Sequence, residues 1–407
     1  VLTFQWHRSV ADIAAVWDEC FGREAVLRSH ALHQAVENAR LDHVETHYLT
    51  GRDDHGVVCV VPCFAFKLSF VALASPWLQR LVGWIQKLVP GFLTIRLFIV
   101  GSALSNGDDL LGIKNLADER SWSAERLTSV FDEICRQAKS LGIGFVIIKE
   151  PKKTTTDILR ARLGPRFFFV ESLPTTILQL PAKERGGYLA SINTRYRNKV
   201  KKRKAVCDEK GITWRVAANS SGHEEDIYRL YQQVVDRSDF IFERLNQNFF
   251  KEVEHMLGGD AFYVLGSQMV EGTERLVACE LVLCDRDRGT IHPIYSGFEY
   301  EHKRDNNVYF NLFYKVIEEA ERRGFSQVHL GQTSYEIKAE LGAKTVPLFF
   351  GIHHRNPLIQ RLLWLLRHSL FPTVAVPDRE VFVIPPPPAK NAPRAKHQPS
   401  ETENTTK

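Results

Sequence analysis

The apolar positions of this chain follow two rhythms. In ADIAAVWDECF, LRSHALHQAVENA, EEDIYRLYQQVVDR and NQNFFKEVEHML they recur every three or four residues, the spacing of amphipathic helices. Between them, VETHYLT, GVVCVVPCFAF, ITWRVA, AFYVLGSQ, RLVACELVLCD and GTIHPIYSGF are short apolar or alternating runs, which predict strands. DRDRG, between two such runs, reads as a hairpin turn rather than a crossover, so the pairing is expected to be mainly antiparallel. The fold class is mixed α/β.

Two segments far apart share one pattern. LTSVFDEICRQAKSLGIGFVIIKE (127–150) and YFNLFYKVIEEAERRGFSQVHLGQ (309–332) align without a gap, matching Phe131 with Phe313, Ala138 with Ala320, Gly142 with Gly324 and Val146 with Val328. Each reads as an amphipathic helix, a glycine that ends it and a short buried strand. The order of elements around these units also repeats loosely, which predicts an internal duplication. A first domain is expected over 1–182 and a second over 183–375, joined at PAKERGG, with a Pro-rich disordered tail over 376–407.

The second domain opens on a run of charge, with Lys or Arg at seven of the ten positions from 195 to 204. If 188–210 is one helix, Leu189, Ile192, Tyr196, Val200 and Cys207 share a side. Arg195, Arg197, Lys199, Lys201, Lys202, Arg203 and Lys204 then cover the remainder, and Gly211 ends the helix. The charged side is either a solvated surface or a landing site for an anionic partner: coenzyme A, an acyl carrier protein, transfer RNA or anionic lipid. No stacking aromatics alternate with the cations and no base-reading module appears, so DNA is not an expected partner.

Over all 407 residues the net charge is only +5, which makes that positive surface a local feature. The seven cysteines lie inside apolar runs without Cys-x-x-Cys or Cys/His clustering, and read as reduced core residues of a cytoplasmic protein with no metal site. VLTFQWHRSV shows no secretory signal, and the apolar stretch 69–100 is broken by Gln79, Arg80, Gln86 and Lys87, too often to span a bilayer. WLQRLVGWIQKLV (77–89) and LIQRLLWLLRHSLF (358–371) are Trp-bearing, Leu-rich and edged with Arg or Lys. They are either core stripes, faces for peripheral membrane contact or the wall of a lipid tunnel.

Residues 291–357 hold the densest set of unusual choices. A small aromatic cluster before the long helix, a strand ending in Gly331, the tetrapeptide YEIK (335–338) and Gly342-Ala343 resemble the Fem-type, peptidoglycan-biosynthesis-like branch of the GNAT acyltransferase superfamily. The basic helix ending at Gly211 is similar to the Arg/Lys-rich helix that opens the second half of those proteins. The resemblance implies two tandem GNAT-like domains, each a mainly antiparallel sheet flanked by helices, that transfer an acyl or aminoacyl group to an amine-bearing acceptor. The Gln/Arg-x-x-Gly-x-Gly/Ala loop that cradles the coenzyme A pyrophosphate is missing, and KRDNNVYF stands in its place. That departure favours an acyl-carrier-protein thioester or an aminoacyl-tRNA over a standard acetyl-CoA donor, with no tightly bound cofactor. A non-catalytic relative that holds an anionic membrane or RNA on its basic helix is the alternative.

Amide formation needs a group to take the amine proton and donors for the oxyanion. Glu280, inside VACELVLC, would have a raised pKa if buried and could then act as base; facing outward, it would be an ordinary strand residue. The resemblance implies that Lys338 neutralises a phosphate or an oxyanion, with Tyr335 one turn earlier as a hydroxyl donor. His292 and Tyr295, on the strand before the long helix, are expected to face the cleft. Arg195, Arg197, Lys201, Lys202, Arg203 and Arg304, together with Lys338, are the expected donor-binding cations. No G-x-S-x-G elbow or Cys/His pair is apparent, so the expected chemistry is direct attack with no covalent enzyme intermediate.

Overall fold

The computed structural model describes residues 1–22, 25–42, 44–69, 94–104, 111–237, 244–300 and 307–384. Arg304, the stretch 77–89 and the tail from 385 lie outside the described residues. The first sheet contains β1 (Thr3–His7), β2 (Val44–Asp53), β3 (Gly56–Ser69), β4 (Thr94–Val100), β5 (Gly112–Ile113), β6 (Phe145–Lys152) and β7 (Phe168–Glu171). The second contains β8 (Thr175–Gln179), β9 (Ile212–Ala217), β10 (Ala261–Val270), β11 (Thr273–Asp285), β12 (Thr290–Phe298), β13 (Gln327–Gly331) and β14 (Lys344–Val346). The last strand, β15 (Leu348–His354), belongs to the first sheet.

Strand order shows the duplication. The first sheet runs β1-β2-β3-β4-β6-β15-β7, with β5 beside β3, and the second runs β9-β10-β11-β12-β13-β8-β14. Position by position these are the same sheet: an antiparallel meander, one parallel pair (β4 with β6, β12 with β13), then two antiparallel strands. In each sheet the last strand but one comes from the other half. β8 sits between β13 and β14, and β15 sits between β6 and β7. The division drawn at 182/183 therefore runs through an exchange, with each half completing its partner's sheet.

Local features repeat as well. Helix Ala124–Ser140 and helix Val308–Arg323 both end on a left-handed glycine, Gly142 (φ 72°) and Gly324 (φ 84°). Beyond each glycine a backbone N–H returns to the helix, Ile143 to the carbonyl of Ala138 at 2.8 Å and Phe325 to that of Ala320 at 2.9 Å. Both leading hairpins carry a register shift beside a glycine, at Gly51/Arg52 and Gly266/Ser267. A Cβ at Gly51 would lie 2.6 Å from Cys59 Sγ, and one at Gly266 2.9 Å from the Trp214 ring, so a side chain would fit neither.

The apolar faces meet in several cores. In the first half, Leu49, Val61, Phe98, Val130, Phe131 and Ile134 pack between the sheet and helix Ala124–Ser140. In the second, Val264, Val282, Leu312, Val316 and Ile317 do the same beneath helix Val308–Arg323. The opposite face of the second sheet is covered by helices Glu224–Val235 and Gln247–Leu257 together with helix His30–Ala39 of the first half. That shared core joins the halves.

Two local expectations change. The basic segment is two helices, Gly187–Ser191 and Thr194–Glu209, because Asn193 caps the second through a hydrogen bond from Tyr196 N. The break resets the helical phase, so Tyr188 and Ile192 point inward and Leu189 is exposed. The chain from 376, expected to be disordered tail, is packed as far as Val381 and Phe382. Val381 is buried, Phe382 lies edge-on to Tyr188, and Asp378 and Arg379 pair with Lys344 and Glu336. The two apolar side chains give this short piece enough surface to hold it.

Candidate active site

The β10–β11 hairpin lays Glu280 on the face of the second sheet that helix Val308–Arg323 covers, among Ala278, Val282 and Cys284. Its carboxylate is buried. Ser296, directly opposite on β12, donates its hydroxyl to Glu280 Oε2 at 2.5 Å. Burial pushes the carboxyl up to about 8, against the pull of the Ser296 hydrogen bond and the charge of Lys338.

Lys338 reaches the same place from the other side. Beyond β13 the chain turns through Gly331, Thr333 and Ser334, all in the left-handed region, and enters the short helix Tyr335–Glu340. Non-glycine residues adopt that conformation at a cost, so the surrounding structure holds this turn in place. It brings the carbonyl of Gln332 within 2.5 Å of Lys338 Nζ. Burial lowers the ammonium to about 7, opposed by the charge of Glu280. No ion-pair contact joins the two among the described residues. Both are buried, each senses the other, and each titrates near neutrality.

Other groups complete the site. Tyr309, in the first turn of the long helix, lies 5.2 Å from the Phe298 ring and hydrogen-bonds Ser334. Burial pushes its hydroxyl up to about 12, with the Glu280 charge adding to the effect. Gln332 donates to Glu150 Oε1 at 2.8 Å and to the carbonyl of Leu173 at 2.7 Å, tying β13 to β6. Sequence reasoning passed over Ser296, Tyr309 and Gln332. The only signals were a polar side chain in the apolar IHPIYSGF strand and a tyrosine at the start of a long helix.

The remaining expected residues fall elsewhere. Cross-strand register puts His292 opposite Leu283 and Tyr295 opposite Leu281, on the face turned away from Glu280. Tyr295 packs against the rings of Phe249 and Tyr231 at 5.7 and 5.9 Å. His292 is buried 5.1 Å from His329, and burial with the neighbouring His329 and Lys152 charges holds it well below the usual histidine range. Burial pushes His329 down as well, to about 3, so both members of this core pair are neutral near pH 7. Tyr335 donates its hydroxyl to the carbonyl of Pro174 at 2.8 Å, which fastens the Lys338 helix to the first half.

The basic helix divides into paired and free cations. Arg197 donates to the carbonyls of Leu189, Ala190 and Ile192, closing the short helix before it. Lys199 and Arg203 hold Glu340 at 3.0 and 2.8 Å, Arg203 lies 3.3 Å over the Phe310 ring, and Lys204 pairs with Glu318. Arg195, Lys201 and Lys202 are exposed and enter no ion pair among the described residues. Most of the run is therefore cement between this helix, the long helix and the Lys338 helix, and three cations are left to meet a partner.

Residues 194–339, which contain the basic helix, Glu280, Tyr309 and Lys338, match the acetyltransferase (GNAT) domain family. The chain is similar in structure to FemX, at 13% identity and a TM-score of 0.55, over 88% of this chain and 99% of that one. It is similar to a tandem GNAT protein from the clavulanic acid biosynthesis pathway, at 9% identity and a TM-score of 0.52, over 88% and 99% of the two chains. L-PGS from Bacillus licheniformis aligns at 10% identity and a TM-score of 0.50, over 87% of this chain and 96% of that one. No curated protein sequence matches. Residues 194–339 thus match a GNAT acetyltransferase domain, and the paired, strand-exchanged halves share the fold of FemX and of the tandem GNAT protein.

Proposed function

We propose that this protein forms an amide bond by moving an acyl or aminoacyl group from a thioester or ester donor to an amine, at Glu280 and Lys338. The observation that carries the reading is that buried pair, a carboxyl held up to about 8 and an ammonium held down to about 7. As the amine nitrogen bonds to the donor carbonyl carbon, Glu280 takes the proton it releases, with Ser296 fixing the carboxylate. Lys338, in its charged form, faces the negative charge that develops on the carbonyl oxygen. The charge of the same carboxylate bears on the Tyr309 hydroxyl. Collapse of the tetrahedral intermediate expels the thiol or hydroxyl of the donor, which takes up a proton.

Arg195, Lys201 and Lys202 are the exposed cations suited to the donor's carrier, whether acyl-CoA, an acyl carrier protein or an aminoacyl-tRNA. Of the KRDNNVYF segment, where a pyrophosphate loop would lie, the first part with Arg304 is outside the described residues. The same reading places the protein in the cytoplasm, in peripheral contact with a membrane. The test is a donor panel presented to purified protein, with transfer to amines read by mass spectrometry. Transfer from one carrier class, lost in E280Q and in K338M, supports the reading. Turnover undiminished in both variants overturns it.

A further inference from the structure

Seven of the exposed large apolar side chains among the described residues belong to one helix, Pro357–Leu370: Leu358, Ile359, Leu362, Trp364, Leu365, Leu366 and Leu370. Leu358 is 78% exposed, Leu365 58% and Leu362 54%. Positions 358, 362, 365 and 366 fall at the i, i+4, i+7, i+8 spacing of a single helical stripe. The stripe faces away from the protein. The face turned inward is held by polar contacts: Gln360 donates to the carbonyls of Arg166 and Ile352 at 3.1 and 3.4 Å, and accepts from His354 N at 2.7 Å. Only Leu363 and Phe371 join the small core beneath. This is the reverse of an ordinary surface helix, whose apolar stripe faces its own domain.

Along the helix the formal charge has one sign: Arg361 and Arg367 lie on it and Arg355 just before it, and no acidic residue occurs from 355 to 370. Arg367 stacks 4.4 Å over the Trp364 ring. Beside them a groove of about 480 Å³ is lined by Phe167, Phe168, Phe169, Trp364, Arg160 and Arg367. Across the groove Arg160 shares its charge with Asp157 at 3.6 Å. A stripe of leucines with a tryptophan at its edge and cations around it suits a surface with apolar depth and a negatively charged rim. A twofold pairing with a second copy would instead set the same arginines against one another. No helix among the described residues is long and apolar enough to cross a membrane, so this one would lie flat.

We propose that helix Pro357–Leu370 docks the protein on an anionic lipid bilayer, with Leu358, Leu362, Leu365 and Leu366 entering the acyl boundary and Arg361, Arg367 and Arg160 meeting lipid phosphates. This deepens the peripheral-membrane part of the reading above and leaves the transfer chemistry independent of it. The full chain is sedimented with vesicles of phosphatidylcholine containing phosphatidylglycerol and with vesicles of phosphatidylcholine alone. The expected result is binding to the anionic vesicles, weakened severalfold by high salt. The pair L362E/L366E lowers that partition roughly tenfold or more, with the melting temperature and transfer to a soluble amine unchanged. R361Q/R367Q lowers it for the anionic vesicles. Equal binding to neutral vesicles, or binding that L362E/L366E does not reduce, overturns the proposal. So does a dimer that the same variant dissociates while vesicles are not bound. Failed docking with retained transfer removes this inference alone; failed transfer with retained docking removes the catalytic reading alone.

Discussion

The two halves share one framework and differ at the two places where chemistry would occur. On β11, Glu280 faces the long helix; on β3, the strand in the same place, the residues facing helix Ala124–Ser140 are Cys59, Val61, Cys63 and Ala65, all in the apolar core. Lys338 stands six residues beyond Gln332, and Thr156 stands six residues beyond Glu150, its gapless equivalent. Both are buried, and both reach back to a carbonyl of the preceding turn: Lys338 to Gln332 at 2.5 Å, Thr156 to Pro151 at 3.3 Å. At these two places one copy has apolar groups and a hydroxyl and the other an acid and a base, although the first half buries an ion pair of its own elsewhere, Lys149 with Glu150 at 3.5 Å. Glu280 and Lys338 make no such ion pair, and burying ionisable groups without one works against stability, which points to use rather than to packing.

The comparison breaks most visibly if activity does not follow that difference. E280Q and K338M should each lower kcat/KM by about a hundredfold or more, with far-UV circular dichroism unchanged, whereas T156V in the first half should leave it within about twofold. The basic helix sharpens the contrast at the next level. K201E/K202E should raise the donor KM by roughly tenfold at low salt, an effect that fades as salt rises. R203A should instead lower stability by about 2–3 kcal/mol in urea titration, because Glu340 loses a partner and the Phe310 ring its stacked guanidinium.

Smaller effects probe the seam and the repeat. Q332A leaves Glu150 Oε1 and the Leu173 carbonyl without their donor and should cost about 1–3 kcal/mol. G142A and G324A should each cost about 1 kcal/mol, and equally, since a Cβ at either glycine meets no atom within 4 Å and only the left-handed backbone is strained. Unequal costs would show that the two caps are not equivalent.

Much of this was legible in the sequence where the physics is local. The helix–glycine–strand units at 127–150 and 309–332 were readable because periodicity and a terminal glycine act over a few residues. Glu280 stood out as a carboxylate in an otherwise apolar strand. The strand exchange was not readable, because TTILQ and LFFGIHH carry the same alternation whichever sheet they join. Nor was the neutralisation of the basic run, whose partners Glu318 and Glu340 lie more than a hundred residues away. His292 and Tyr295 were expected to face the cleft, and the register shift between Leu281 and Val282 sets both on the face turned away from Glu280.

The most direct test is the pH dependence of kcat/KM for the wild-type protein and for E280Q, with a donor and amine that support turnover. Glu280 takes a proton only when ionised, so its contribution rises as pH passes through the region near 8, while Lys338 loses its charge from near 7 upward. The wild-type profile should be a bell whose two apparent pKa values, in this range, belong to the pair. In E280Q the rising limb should vanish and the residual rate should only fall with pH, from a lower value because Lys338 has lost the carboxylate that favoured its charge. An unchanged bell in E280Q would contradict the assignment of the chemistry to this pair.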